Sequence, residues 1–374
     1  MIRPTVATVR VDAVESNLRA VQHMVAAEAA GPPPGVIAVV KANAYGHGAA
    51  EVGLALERAG ASMLACADIE EGVVLREAGV RIPVLVFGAL SVSDVAGVFD
   101  HHLTPTVSTP AAARALEERA ARLGVVLTCH LKIDTGMNRL GFRHDNLRRT
   151  MPEVLGSSHL RFEAVSTHFA TADEPESTFL EEQRSRFDRA SAALGALGLP
   201  KVKRHAANSA ALLRDRRTWY DWVRPGLLLY GVVPPPLAST IALRPALSLT
   251  SRIVAVKGMR AGEGTGYGLR WRAEAPRTIA IVPAGYADGI DTRLSNRGAV
   301  LVRGRRMPIV GSICMDMMMV DVTGEDVSPG DEVVIIGEQG GDEITARETA
   351  SATGTIPWEI LCRLGARIER KYRD

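Results

Sequence analysis

The sequence is short of several features that commonly announce a function. No run approaches the ~20 apolar residues of a membrane-spanning helix, so no membrane partner is expected. Neither sign of charge dominates: 44 basic residues face 42 acidic ones, a net +2. That balance gives no case for nucleic acid or an anionic surface as the main partner. Only four cysteines occur, Cys66, Cys129, Cys314 and Cys362, scattered and without a CxxC pair. They read as reduced thiols, which argues against a disulfide framework or a zinc site. Nine histidines include His101-His102, yet no His/Cys/Asp spacing suggests a metal. No GxGxxG follows the first strand, so a dinucleotide fold is unsupported. Ser209 lies in no GxSxG elbow, which disfavours a serine hydrolase. The opening MIRPTVATVRVDAVESNL has polar residues throughout and carries no charged-then-apolar secretory pattern, so a cytoplasmic location is expected.

What is present centres on VIAVVKANAYGHG, Val36 to Gly48. An apolar run rich in β-branched residues leads straight into Lys41, which reads as a strand buried on both faces with a lysine at its C-terminal end. Ala42, Asn43, Ala44, Gly46 and Gly48 let a ligand approach the backbone, and a helix is expected from about Ala49. A partly desolvated lysine there loses proton affinity, which frees a neutral amine for a Schiff base or a proton transfer. The bland alternative is a lysine that only reaches solvent from a strand end.

At 374 residues, 47% of them apolar, the chain exceeds one ordinary domain unless that domain is an α/β barrel. Thr5 to Val11 alternates as a strand, and Asp12 is expected to cap a helix through about His23. A regular beat follows GPPPG. Besides the Lys41 strand, short apolar runs at 63–67, 83–88, 103–107, 125–133, 160–168, 202–206 and 222–230 alternate with helical patterns. One such helix starts at Thr109-Pro110, with Leu116, Ala120 and Leu123 on one face. Another runs from about Pro175 to Gly198, with Leu180, Phe187, Ala190, Leu194 and Leu197. Eight βα units argue a (β/α)8 TIM-type barrel over residues 1–235. Pro234-Pro235-Pro236 reads as a linker. Beyond it, runs at 247–259, 277–284, 299–310, 317–324 and 332–338 read as strands, with little helix until the 340s. A mainly β domain is therefore expected over 236–374, and the strand near Val6 is a candidate to pair with it.

The barrel reading predicts unusual polar residues at the C-terminal strand ends. Lys41 ends the first strand, and LKIDTGMNR, with Lys132 and Arg139, leaves the fifth. His168 ends the sixth, Asn208 and Ser209 follow the seventh, and Arg224-Pro225-Gly226 lies at the eighth. Each alone passes for a cap or a surface charge; together they mark a site. Ser209, Tyr45 and the Gly226 N–H suit a phosphate, and Lys41 suits an aldehyde. That pair of properties suggests pyridoxal phosphate.

The motifs VVKANAYGHG, LKIDTGMNRLG, THFATADE, HAANSAA, VRPGLLLYG, GYG, GYADG and GSICMDMMMVDVT, in this order over essentially the whole chain, resemble the bacterial alanine racemases. The resemblance implies a barrel plus β domain, pyridoxal 5'-phosphate, interconversion of L- and D-alanine, and a homodimer with shared active sites. It also implies a supply of D-alanine for peptidoglycan. Residue by residue, it makes Lys41 the cofactor's covalent anchor and the base on the D side. Tyr267 becomes the base on the L side, supplied by the partner's β domain. Arg224 would face the pyridine nitrogen with His168 orienting it. Arg139 would reach the cofactor's phenolic oxygen and the substrate carboxylate. Tyr45, Asn208, Ser209, Gly226 and Tyr230 would complete the cofactor's surroundings. Met315, together with Asp316, would complete the substrate side, and Lys132 is a position often carbamylated in the family. Without the family match, Tyr267 and Tyr286 are equal candidates. Two departures stand out. Cys362 occupies the place of a C-terminal tyrosine that binds phosphate and narrows the pocket. Ile290-Asp291-Thr292-Arg293 replaces a Pro-Arg continuation of GYADG. Both leave room for a wider range of small amino acids, such as serine. The competing readings are a same-fold amino-acid decarboxylase, which Arg224 opposes because an acid is expected by that nitrogen, and a non-catalytic cofactor-binding protein, which would lack the β domain.

Overall fold

Short β-branched runs separated by capped helices can bury both strand faces only by winding helices around a parallel sheet, and that is what forms. The computed structural model describes residues 4–29, 31–90 and 95–374. The chain divides into two compact units: Val14–Ala44 with Ala49–Leu243, and Met1–Ala13 with Tyr45–Gly48 and Arg244–Asp374.

The first unit holds eight parallel barrel strands: Gly35–Val39, Met63–Cys66, Val84–Val86, Thr104–Val107, Leu127–Asp134, Leu160–Ser166, Lys203–Asn208 and Trp222–Arg224. Each pairs with its neighbours, and the ring closes where the eighth strand meets the first, with Trp222 opposite Gly35 and Val223 opposite Val36. Gly35 is required at that seam: a Cβ there would lie 2.5 Å from Trp222 Cδ1. Register shifts interrupt the fifth strand between Cys129 and His130, and the eighth between Trp222 and Arg224. Such bulges re-aim the side chains beside them.

The helices follow their caps. Thr109 accepts from Ala112 N at 3.1 Å, Pro110 opens the helix, and Gly124 closes it with φ 65°. Leu116 and Ala120 are buried on its inner face, but Leu123, the last residue of the helix, is exposed. The later helix runs Phe179–Ala196, so its start is four residues inside the expected Pro175. The eighth strand is shorter than the expected 222–230. Pro225 cannot donate to a ladder, and the chain turns at Gly226 into a short 3-10 segment, Leu227–Tyr230.

The second unit is mainly β. Val6–Arg10 pairs antiparallel with Leu247–Arg252 and parallel with Glu369–Arg373. The first helix spans Val11–Glu28, so Asp12 sits inside its first turn rather than capping it; its carboxylate pairs with Arg10 and, at 2.7 Å, with Arg244. The run 247–259 is two strands, Leu247–Arg252 and Ala255–Met259, and 299–310 is a hairpin, Ala299–Val302 and Arg305–Val310. Its two turn residues, Arg303 and Gly304, have φ of 50° and 75°, the mirror-image turn that suits strand twist. Two helices close the unit, Ala346–Thr353 and Pro357–Cys362. Among the described residues no helix is long and apolar enough to cross a membrane.

Candidate active site

Lys41 follows the first barrel strand by two residues, and the backbone turns sharply after it. Ala42, Asn43, Ala44 and Tyr45 all have φ between 52° and 54°, a left-handed turn built without glycine. Each such residue costs about 1 kcal/mol or more, so tertiary bonds must hold it. Ala42 N donates to Glu71 Oε1 at 2.6 Å, Asn43 Oδ1 accepts from Ala49 N at 2.8 Å, and Ala44 N donates to Val40 O. The Tyr230 hydroxyl is buried and donates to Val39 O at 2.9 Å, which anchors the strand end that carries Lys41.

On the fifth strand, His130 and Lys132 share one face because side chains alternate. Asp134 ends that strand, and its Oδ1 accepts from Gly136 N and Asn138 N, which shapes the loop leading to exposed Arg139. Burial, and then the charges of Arg224, Arg139 and Lys41, push the half-buried Lys132 down to about 7, with Asp134 opposing. Burial and the same four cations hold His168 well below the usual imidazole range. Lys41, Lys132, Arg139, His168 and Arg224 are thus brought together at the barrel mouth.

Arg224 ends the eighth strand, and burial lowers it to about 9, so it stays charged at neutral pH. Its guanidinium meets His205 Nδ1 at 3.0 Å and His168 Nδ1 at 3.1 Å, and donates to the carbonyls of Thr167 and Ala206, both at 2.8 Å. Asn208 Oδ1 caps the next helix by accepting from Ala211 N. Ser209 Oγ accepts from Gly226 N at 2.9 Å, so that N–H is already engaged, while the serine keeps its own proton for another acceptor. A concentration of cations with neutral imidazoles and a buried serine donor fits a phosphorylated, anionic cofactor and a carboxylate substrate.

In the other unit, Tyr267 is 76% exposed and lies between Gly266 and Gly268, whose φ are 73° and 71°. Its carbonyl accepts from Ser312 Oγ at 2.8 Å. Gly266 has a positive φ, and a Cβ there would sit 3.0 Å from Ser312 N, so the position favours glycine. Met315 is exposed, and its carbonyl accepts from Ala287 N and Arg367 Nη2. Asp316 pairs with Arg367, which also holds buried Asp288. Tyr286, Leu269 and Met317 are exposed as well. Tyr45 is buried and lies near Cys362, the last residue of its helix. Arg293 folds back on Asp291, Nη2 to Oδ2 at 2.6 Å, and Arg363 joins the same carboxylate.

The alanine racemase N-terminal domain model matches residues 9–234, and the alanine racemase C-terminal domain model matches 246–372. The alanine racemase of Symbiobacterium thermophilum is 43% identical over 373 residues, 99% of this chain and 97% of that protein. The chain belongs to the alanine racemase family. Its fold is that family's. The crystal structure of alanine racemase from D-cycloserine-producing Streptomyces lavendulae has a TM-score of 0.94 at 34% identity, covering 100% of this chain and 98% of the other. The alanine racemase of Bartonella henselae, solved with covalently bound pyridoxal phosphate, has a TM-score of 0.87 at 29% identity, covering 99% of both chains.

Sequence reasoning missed two positioning groups. His205 was legible only as part of the HAANSAA motif, although two-residue spacing puts it on the same strand face as Ala207. Gln183 is fully buried on the helix face expected to be apolar. Its amide donates to Thr135 Oγ1 and His168 O and accepts from Ala170 N, which fixes the loops after the fifth and sixth strands.

Proposed function

We propose that this chain is a pyridoxal-phosphate-dependent alanine racemase that works with two bases, Lys41 and Tyr267, on opposite faces of the substrate. The cofactor, when bound, supplies an electron sink that acidifies the substrate's α-hydrogen. Lys41 would hold it covalently, and the Lys41 amine would move the proton on the D side. The Tyr267 hydroxyl moves the proton on the L side. One group removes the α-proton while another on the far face returns one, which is what inversion at that carbon requires. Arg224 would face the pyridine nitrogen as a donor that keeps its own proton, so the sink would stay weak and side reactions would be disfavoured. His168 orients Arg224. Arg139 binds the phenolic oxygen and the substrate carboxylate. Ser209, with Tyr45, Asn208, Gly226 and Tyr230, frames the phosphate end. Lys132, once carbamylated, becomes an anion that steadies Arg139.

The observation that carries this reading is the convergence of Lys41, Lys132, Arg139 and Arg224 on one barrel mouth, each acting on His168. In this reading the barrel, residues 1–235 without the first strand Val6–Arg10, carries the cofactor. The β domain, 236–374, offers Tyr267 and Met315 to a second copy. The exposure of Tyr267, Leu269, Tyr286, Met315 and Met317 supports a homodimer with shared sites, because so much exposed apolar surface calls for a cover. D-alanine for peptidoglycan is the product's use under this proposal, in the cytoplasm. The test is incubation of the purified holoprotein with L-alanine in deuterated water. Exchange of the α-proton with D-alanine appearing is the expected result. A cofactor band in the visible range without exchange would move the reading to a decarboxylase or a cofactor-binding protein.

A further inference from the structure

We propose that His205, His130 and Glu163 form a one-way hydrogen-bond relay that keeps Arg224 a pure donor and fixes its orientation at the barrel mouth. The three are positioning residues, and the inference rests on the reading that Arg224 faces the cofactor ring. The polarity follows from valence alone. A guanidinium only donates, so His205 Nδ1, 3.0 Å from Arg224 Nη1, must be bare. His205 therefore carries its proton on Nε2, which lies 2.9 Å from His130 Nδ1. His130 Nδ1 must then accept, and the His130 Nε2–H donates to Glu163 Oε1 at 3.1 Å. Every N–H in the chain points from the buried arginine towards a carboxylate whose side chain is 36% exposed.

The barrel is built to hold this line. His130 stands beside the register shift in the fifth strand, and the eighth strand shifts register between Trp222 and Arg224. The Trp222 ring stacks on His130 with 5.7 Å between centroids and meets His205 edge-on at 6.1 Å. Lys203 Nζ sits over that indole, 4.1 Å from its centroid. Both histidines are buried, and no carboxylate contacts Arg224 itself among the described hydrogen bonds and ion pairs. Glu163 is the carboxylate at the far end of the line, two imidazoles away. A second proton on either ring would set two N–H groups against each other across 2.9 Å, or one against the guanidinium. The relay therefore requires both rings neutral. Burial is what favours that state at both rings; Arg224 and Lys203 add to it at His130, where Glu163 pulls more strongly the other way, and Arg224, His130 and Lys132 add to it at His205. The His130 hydrogen bond first, and then Lys203 and Arg161, hold Glu163 below the usual carboxylate range.

The test uses nitrogen-15 NMR of the histidine rings in the wild-type holoprotein, alongside Glu163→Gln and Glu163→Leu. In the wild type both His130 and His205 are expected as neutral rings protonated on Nε2, without titrating between about pH 8 and 5.5. A proton on Nδ1 of either ring, or a charged ring in that range, overturns the relay without any variant being made. Glu163→Leu should lose the single tautomer at His130. It should also lower kcat about tenfold in both directions with little change in KM, and shift the cofactor's visible band. Glu163→Gln keeps an acceptor oxygen and should recover most of the rate and the tautomer. Unchanged kcat and an unchanged band in Glu163→Leu would overturn the positioning role. If the wild type exchanges no alanine proton at all, the functional reading fails, and the tautomer result still decides the relay.

Discussion

Lys132→Met is the perturbation whose sign is least intuitive. It removes a charge from the barrel mouth and keeps most of the side-chain volume. The lysine's fall from an ordinary 10.5 to about 7 corresponds to a ceiling of ~5 kcal/mol against the folded state. The side chain is half-buried, so screening reduces this, and a gain of about 2 kcal/mol for the variant is expected. The direction of the pH effect is fixed by linkage. The folded-state value lies below the unfolded one, so between about pH 7 and 10.5 the unfolded chain binds more protons and wild-type stability rises with pH. Lys132→Met lacks that rise. The assay is urea unfolding of cofactor-stripped protein in carbon-dioxide-free buffer from neutral to alkaline pH. Bicarbonate supplies the second arm. A neutral amine attacks carbon dioxide, an N–C bond forms, and the proton leaves to solvent, which places a carbamate anion among Arg139, Arg224 and Lys41. Bicarbonate should then stabilise the wild type and leave Lys132→Met unchanged. A variant less stable than wild type in carbon-dioxide-free buffer, or a wild type indifferent to bicarbonate, would refute the reasoning.

The remaining expectations are simpler. Lys41→Ala should abolish the cofactor's visible absorbance, and an unchanged spectrum would mean another lysine carries it. Tyr267→Phe should lower L-alanine proton exchange by roughly 10²–10⁴ while cofactor binding holds; survival of exchange would shift the role towards Tyr286. Cys362→Tyr should narrow the pocket and cut serine turnover relative to alanine by about tenfold, read as the ratio of kcat/KM values. His130, His168 and His205 are all held below the usual imidazole value, chiefly by burial. The unfolded chain therefore binds more protons below about pH 6.5, and stability should fall as the pH drops from there. A flat urea midpoint down to about pH 5 would contradict that.

The alternation of strand and helix was legible because each barrel strand is a short apolar run closed by caps that carry their own signals, Thr109-Pro110 and Gly124 among them. What escaped was set by local backbone chemistry without an apolar signature. Arg303-Gly304 splits one run into a hairpin. Pro225 ends the eighth strand early. The left-handed turn from Ala42 to Tyr45 is invisible to pattern reading, since alanine is a helix former and the conformation is imposed by Glu71, Asn43 and the Val40 carbonyl. The site was legible as a set of polar strand ends, because a parallel barrel gathers those ends at one mouth. The relay was not, since its members lie up to 75 residues apart and only the closed barrel joins them. The spacing of His130 and Lys132 was the available hint: two residues apart on a strand, they must share a face.

Arg224, buried, and Lys132, half-buried, stand at the same mouth and come out differently, and the difference follows from their chemistry. Delocalised charge leaves the guanidinium protonated even when lowered to about 9, whereas the ammonium falls to about 7 and is neutral half the time at neutral pH. One cation is therefore suited to remain a fixed donor and the other to become a nucleophile. Exchanging them should fail in both directions. Arg224→Lys would place a titrating amine where His205 and His168 both need a donor, and one bare lone pair facing His205 Nδ1 would leave two acceptors in contact. Lys132→Arg would restore a permanent charge beside Arg139 and forbid the carbamate. The double exchange should therefore bind cofactor poorly even though composition and net charge are unchanged, which a spectral titration with pyridoxal phosphate would read directly. Tight binding by the exchanged protein would show that the mouth needs only its total charge.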